Sequence, residues 1–223
     1  MRSGFLRGLT TAVAAVGGVV AVDSCSRRSL IPQPGERTAA APDSFRVAVE
    51  TSRGRFDVVA HRGWAPNGVD RFYVLVRRQY YDDARFFRVV SGFVAQFGLS
   101  GDPRVTEAWR PRSIADEPVR QSNRRGRIAF ARGGPNTRTT QLFINLRDNP
   151  RLDTLNGFGF PPIAEVVAGM EVVDSLYAGY GEGQPRGNGP PQDSIRALGN
   201  EYLRRAFPRL DFIQRARVVR EWR

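Results

Sequence analysis

The chain has 223 residues, 41% of them hydrophobic and 25% charged, which is enough for a sizeable core and too apolar for wholesale disorder. Its formal net charge is +12, carried by arginine with no lysine, and the basic residues are scattered rather than blocked, so nucleic acid is not an expected partner. One cysteine, Cys25, and one histidine, His61, exclude an intramolecular disulfide and a Cys- or His-rich metal site, and leave no relay for a Ser–His–Asp triad.

Arg2 and Arg7 precede an apolar run from Leu9 to Val22. These 14 residues fall short of the roughly 20 that span a bilayer, so residues 1–25 read as a signal peptide. Val22-Asp23-Ser24-Cys25 resembles a bacterial lipobox, which would make Cys25 a lipidated residue; Asp23 departs from that pattern, where a small neutral residue is usual. The implied location is exported, either periplasmic or anchored to a membrane by lipid. Residues 26–43, with Pro32, Pro34 and Pro42, read as a flexible linker, and residues 44–223 as the folded domain with a C-terminal extension.

Within the domain, Phe45–Glu50 and Arg55–His61 alternate with period two across a Thr51–Gly54 turn, a β-hairpin pattern. Pro66 opens a helix in which Val69, Phe72, Tyr73 and Val76 form one apolar face, with Arg71, Arg77 and Arg78 off it. Short apolar runs follow at Arg85–Val90, Phe93–Phe97, Arg127–Ala131, Leu142–Leu146 and Ile163–Val167, a mainly β pattern that fits a barrel or a sandwich. Gly169–Tyr177 reads as a short helix. Ser194–Phe207 reads as a longer one, with Ser194 as N-cap and Pro208 ending it, and Phe212–Trp222 as a last strand.

Two segments carry candidate chemistry. In Phe86-Phe87-Arg88-Val89-Val90-Ser91-Gly92-Phe93-Val94-Ala95-Gln96, Arg88 and Gln96 share a parity, and a bulge at Ser91-Gly92 would bring Phe93 to the same side. Spacing alone leaves this a half-buried strand whose arginine snorkels to water. In the second, Ala131-Arg132-Gly133-Gly134-Pro135-Asn136-Thr137 is a turn leading to Gln141-Leu142-Phe143-Ile144. It lacks the Gly-Lys-Ser/Thr ending of a phosphate-binding loop.

These two segments, in this order, resemble the two signatures of the cyclophilins, and Ile163–Asp174 is similar to the strand and helix that follow them. The likeness runs over residues 45–180, and the tail from Gly199 through Ile213 looks like a bacterial branch. The resemblance implies a closed eight-stranded antiparallel barrel capped by two helices, here with an added C-terminal helix. It implies peptidyl-prolyl cis–trans isomerase activity on proline-containing polypeptides, no cofactor or metal, and a monomer that assists folding. It implies Arg88 as the catalytic arginine and Gln96 as the glutamine that holds arginine and substrate. Phe93, Phe143 and Leu152 match the walls of a proline pocket, with Val94 where methionine is often found. Ala131 and the Arg132 backbone, together with Gln141, match the groove for residues preceding the proline.

The sequence also departs from the family. Arg151 stands where members that bind cyclosporin tightly carry tryptophan, so weak cyclosporin binding is expected. The pocket histidine of many members has no counterpart, and Phe158 or Phe160 would substitute for it. Residues 99–125 are longer than a minimal turn, and their arginines would favour acidic peptides. The rival readings are a proline-peptide-binding module without turnover and an Arg-rich envelope-binding protein.

Overall fold

The computed structural model describes residue 1, residues 30–33, residue 35 and residues 39–223. The expected lipidation site at Cys25, and all of the expected signal peptide except Met1, lie outside the described residues. Several described residues of the expected linker, Leu30, Ile31, Gln33 and Ala41, contact the domain. Trp109 Nε1 donates to the Leu30 carbonyl at 2.9 Å, Arg112 Nη2 to the Gln33 carbonyl at 2.6 Å, and the Ala41 N–H to Asp70 Oδ1 at 2.9 Å. Leu30 and Ile31 pack against the main core and Ala41 is buried in it.

Alternation builds the strands. β1 (Ser44–Thr51) and β2 (Gly54–His61) form the expected hairpin in a register running from Ser44 opposite His61 to Thr51 opposite Gly54. β3 (Arg88–Val90), β4 (Val94–Phe97), β5 (Arg127–Phe130), β6 (Leu142–Asn145), β7 (Pro162–Ala168) and β8 (Ile213–Trp222) complete one eight-stranded sheet. The strand order is β3-β4-β6-β5-β7-β2-β1-β8, with every neighbouring pair antiparallel.

The expected closed barrel is corrected here. No ladder joins the end strands β3 and β8; the link is an isolated bridge, Arg85 to Phe212, just ahead of both. Backbone bonds from Phe86 N–H to the Asp211 carbonyl and from Ile213 N–H to the Ala84 carbonyl, each 2.9 Å, flank it. β3 is three residues long and its one ladder is with β4, while its other edge meets the β8 side only through the residues just ahead of each strand.

α1 (Pro66–Arg77) seals the main core with Val69, Phe72, Leu75 and Val76. Arg71 lies off the apolar face, as expected, and is also buried: its Nη1 donates to the carbonyls of Arg112 at 2.6 Å and Thr139 at 3.0 Å, and it lies over the Trp109 ring at 5.1 Å. Burial pushes its guanidinium down to about 10. The cause is a cover absent from the sequence reading. Residues 99–126 contain a helix, α2 (Pro103–Trp109), capped by the Asp102 carboxylate on the Arg104 N–H at 2.9 Å. This segment meets α1 through Trp109, Arg112 and Glu117. Its Glu117 carboxylate caps α1, accepting from the N–H groups of Asn67 at 2.6 Å and Gly68 at 3.0 Å.

α3 (Met170–Asp174) is the expected short helix. α4 (Gln192–Ala206) starts after Pro191 rather than at a Ser194 cap, and it is broken at Gly199, whose φ of +61° and ψ of −150° are not helical. Any Cβ there would meet the Gly101 carbonyl at 2.2 Å, so the break lets α4 lie directly on the start of the insertion. Ile195, Leu203 and Phe207 join Phe87, Leu99 and Leu210 in a second apolar cluster, against which Tyr180 and Tyr202 pack.

Candidate active site

The sheet sorts the signature residues onto two faces. Val89, Ala95, Phe97, Ile128, Phe130, Leu142 and Ile144 point into the main core. Their alternates point outward, as pleating requires. Cross-strand register then sets Arg88 opposite Gln96, Gln96 opposite Phe143, and Phe143 opposite Ala129, a row running over β3, β4, β6 and β5. Ser91-Gly92 is the turn of the β3–β4 hairpin, not a bulge in one continuous strand: Gly92 has a φ of +66° and the Phe93 N–H donates to the Val90 carbonyl at 2.9 Å. Arg88 and Gln96 therefore meet as partners across strands.

Beside that row lies a third apolar cluster, on the outer face. Val94, Ala129, Phe143 and Leu152 are buried in it, with Phe93, Ala131 and Phe160 packed against them. Leu152 comes from a 3-10 turn, Pro150–Asp153, whose chain returns to let the Phe160 N–H donate to the Leu152 carbonyl at 2.8 Å. Phe160 meets Phe143 edge to face at 5.6 Å between ring centroids, so it supplies the wall expected from either Phe158 or Phe160. Phe158 stands at the rim, 50% exposed. The Arg132 guanidinium lies 5.2 Å from the Phe158 ring and 5.1 Å from that of Phe160, and its Nη2 donates to the Gly159 carbonyl at 2.8 Å. The Arg132 side chain thus braces the wall. Arg151 is exposed beside it.

The polar half of the site is a chain of hydrogen bonds. Arg88 Nη1 donates to Gln96 Oε1 at 3.1 Å, and Gln96 Nε2 donates to Gln141 Oε1 at 2.9 Å. The Arg88 guanidinium carbon lies 5.6 Å from the Phe93 ring centroid, so its charge sits at the lip of the apolar cluster. The Ala131 N–H donates to the Gln141 carbonyl at 2.9 Å. From Gln96 a groove of about 720 Å³ extends past Ala131, Arg132 and Gln141 to Thr106 of α2 and Arg196 of α4. The nine residues singled out in the domain fall into three adjoining groups: Phe93, Val94, Ala131, Phe143 and Leu152 in the apolar cluster, Arg88, Gln96 and Gln141 in the hydrogen-bond chain, and Gln96, Ala131, Arg132 and Gln141 along the groove.

One group at this surface escaped the sequence reading. Glu182, in the loop between α3 and α4, takes the other edge of the Arg88 guanidinium: Nε donates to Oε1 at 2.6 Å and Nη2 to Oε2 at 2.7 Å. It lies 94 positions from Arg88 in a glycine-rich stretch, so neither periodicity nor spacing connects the two.

Gln96 is the hinge of the polar chain. A hydrogen bond to a charged group contributes about 1.5–3 kcal/mol. For the isomerase activity that the resemblance implies, Gln96→Leu is accordingly expected to reduce kcat/KM by roughly 10- to 100-fold with the fold retained. Proline-peptide kinetics beside a thermal melt check this; an unchanged rate would remove Gln96 from the machinery.

A cyclophilin type peptidyl-prolyl cis–trans isomerase family model matches residues 46–198. Among named proteins, the chain is 34% identical over 149 residues to a peptidyl-prolyl cis–trans isomerase of Streptomyces antibioticus, covering 64% of this chain and 88% of the relative. It is also 34% identical over 136 residues to peptidyl-prolyl cis–trans isomerase B of Escherichia coli, covering 58% of this chain and 82% of the relative. Among solved structures, a cyclophilin-type isomerase from Cryptosporidium parvum superposes with a TM-score of 0.58 at 18% identity, over 80% of this chain and 99% of that one. The cyclophilin AquaCyp293 from Hirschia baltica gives 0.53 at 16% identity, over 81% and 76%. At those identities the structures speak to fold alone.

Proposed function

The chain belongs to the cyclophilin-type peptidyl-prolyl cis–trans isomerase family, and on that premise we propose that it isomerises X–Pro bonds in exported polypeptides, using Arg88 and Gln96 over the Phe93–Val94–Phe143–Leu152 pocket. The observation that carries the site assignment is the Arg88 guanidinium, held by Gln96 at the lip of the Val94–Ala129–Phe143–Leu152 apolar cluster.

The chemistry follows from the bond. Rotation about a peptide C–N bond faces about 18–20 kcal/mol because the bond has partial double-bond character. No covalent bond is broken, so the protein has only to hold the twisted amide better than either planar isomer. Twisting returns the lone pair to the proline nitrogen. An N–H of Arg88 aimed there stabilises it, and arginine keeps its charge at any physiological pH. The apolar walls grip the ring while Gln96, the Ala131–Arg132 segment and Gln141 hold the residues ahead of it, so that rotation is confined to one bond.

Export is supported by the sequence: Arg2 and Arg7, the apolar run Leu9–Val22, and Cys25 after it. The protein then acts as a monomer outside the cytoplasm of a bacterium, held near the membrane by a lipid on Cys25. Intact mass of the protein from the membrane fraction is expected to show a chain beginning at Cys25 with added acyl mass. A full-length, unmodified chain confined to the cytoplasmic fraction would overturn export and anchoring together.

A further inference from the structure

Glu182 is bound to the one guanidinium that the proposed chemistry depends on, and the contact is built from several directions. Its two oxygens accept from Nε and Nη2 of Arg88 at 2.6 and 2.7 Å, a side-on bidentate pair. Oε1 also accepts from the N–H of Gly183 at 3.1 Å, so the carboxylate is aimed by its own backbone. The loop is tied across its base, with the Gly189 N–H donating to the Glu182 carbonyl at 2.9 Å. It is rooted by Tyr180, which meets Tyr177 and Phe207 edge to face, each at 5.1 Å. Phe207 belongs to the cluster made by α4 and Phe87, next in sequence to Arg88. The extension beyond the signatures thus delivers an acid to β3.

A guanidinium has five N–H groups. Glu182 takes two and Gln96 one. Two are left to meet a substrate, and both clamped edges are already spent. The Arg88 side chain is only 20% exposed and that of Glu182 32%, so the pair is partly shielded from water. A flexible arginine must lose rotamer freedom each time it engages a substrate; one gripped on two edges has lost it on folding.

We infer that Glu182 is a positioning residue for the isomerase reaction, which fixes the Arg88 guanidinium so that its remaining N–H groups face the twisted amide. This rests on the assignment of Arg88 as the catalytic arginine. The charged groups facing Glu182 are Arg88 from β3 and Arg186 from its own loop. The hydrogen bond from Arg88, foremost, holds the Glu182 carboxyl below the usual carboxylate range. The clamp is therefore complete above that range and is lost as pH falls through the lowered value.

The test uses the full chain and a protease-free measurement of proline-peptide exchange by NMR, on wild type, Glu182→Gln, Glu182→Ala, Glu182→Asp and Arg88→Ala. The Gln and Ala variants are expected to lose about tenfold in kcat/KM, carried by kcat with KM nearly unchanged, and Asp to recover part of it. Wild type should lose rate at acid pH where the Gln variant is flat, and the Arg88 Nε–H resonance should broaden in the Gln and Ala variants. Unchanged or faster turnover in Glu182→Gln, beside an active wild type and an inactive Arg88→Ala, would overturn the inference and mark the carboxylate as idle or as a brake. Wild type no faster than Arg88→Ala would instead overturn the catalytic reading of Arg88 itself.

Discussion

Arg88→Lys is expected to lose isomerase kcat/KM by about 100-fold, and Arg88→Ala by at least as much, since removing one preorganised donor to a developing charge typically costs 10²–10³ in rate. Lysine keeps the positive charge, so the loss would report geometry. The guanidinium serves three masters at once: Glu182 on its Nε/Nη2 edge, Gln96 on Nη1, and the substrate on what is left. An ammonium is a point charge with three donors and no planar fork. It would collapse onto the Glu182 carboxylate and have nothing directed at the proline nitrogen. Protease-coupled turnover of a proline peptide measures this directly. A lysine variant within about threefold of wild type would show that charge alone suffices.

The second large effect is on stability. Glu117→Ala is expected to destabilise the fold by about 3 kcal/mol or more, the range for removing one partner of a buried ion pair. Arg138 is fully buried, its Nη2 donates to Glu117 Oε2 at 3.1 Å and to the Ala115 carbonyl, and its Nε lies 3.4 Å from Asp116 Oδ1. Its Nε and Nη1 have no hydrogen-bond partner among the described residues, so this guanidinium has nothing in reserve. The same Glu117 caps α1 through the N–H groups of Asn67 and Gly68. The alanine would take the hydrogen-bonded carboxylate from a buried cation, leaving it Asp116 at 3.4 Å and the Ala115 carbonyl, and would uncap a helix as well, lowering Tm by roughly 6–12 °C for a chain of this size. Glu117→Gln keeps an acceptor and should cost less. Urea unfolding decides it, and a change below about 1 kcal/mol would mean that the insertion is not a structural clamp on α1.

How far the molecule could be read from its sequence depended on the range of the forces involved. The β1–β2 hairpin, the β5–β7 runs and α3 rest on local alternation and helical spacing, and they lie close to where those patterns put them. The burial of Arg71 is not legible in its own helix, because its cover comes from Trp109 and Arg112 in residues 99–126 and from Thr139, and the seven-residue α2 is too short to show an apolar period. The start of α4 was misplaced because Pro191 supplies the extended entry that a capping side chain would otherwise have provided. Within the site, Arg88, Gln96 and Phe143 became legible through their order in two signatures, since spacing alone made Arg88 a snorkelling strand residue. Their cross-strand register is a tertiary fact. So is Glu182, delivered by a loop whose placement is decided by α4 and not by its own sequence.

The central claim, that Arg88 turns over a proline substrate instead of merely helping to hold it, is tested most directly by one comparison. Binding of a proline peptide and its cis–trans exchange rate would be measured together, by NMR, for wild type and Arg88→Ala. The account predicts that Arg88→Ala still shifts the Phe143 and Phe160 resonances on titration while catalysed exchange falls to near the uncatalysed rate. Exchange equally fast in both proteins, or absent in both with binding intact, would contradict it and leave a proline-binding module in its place.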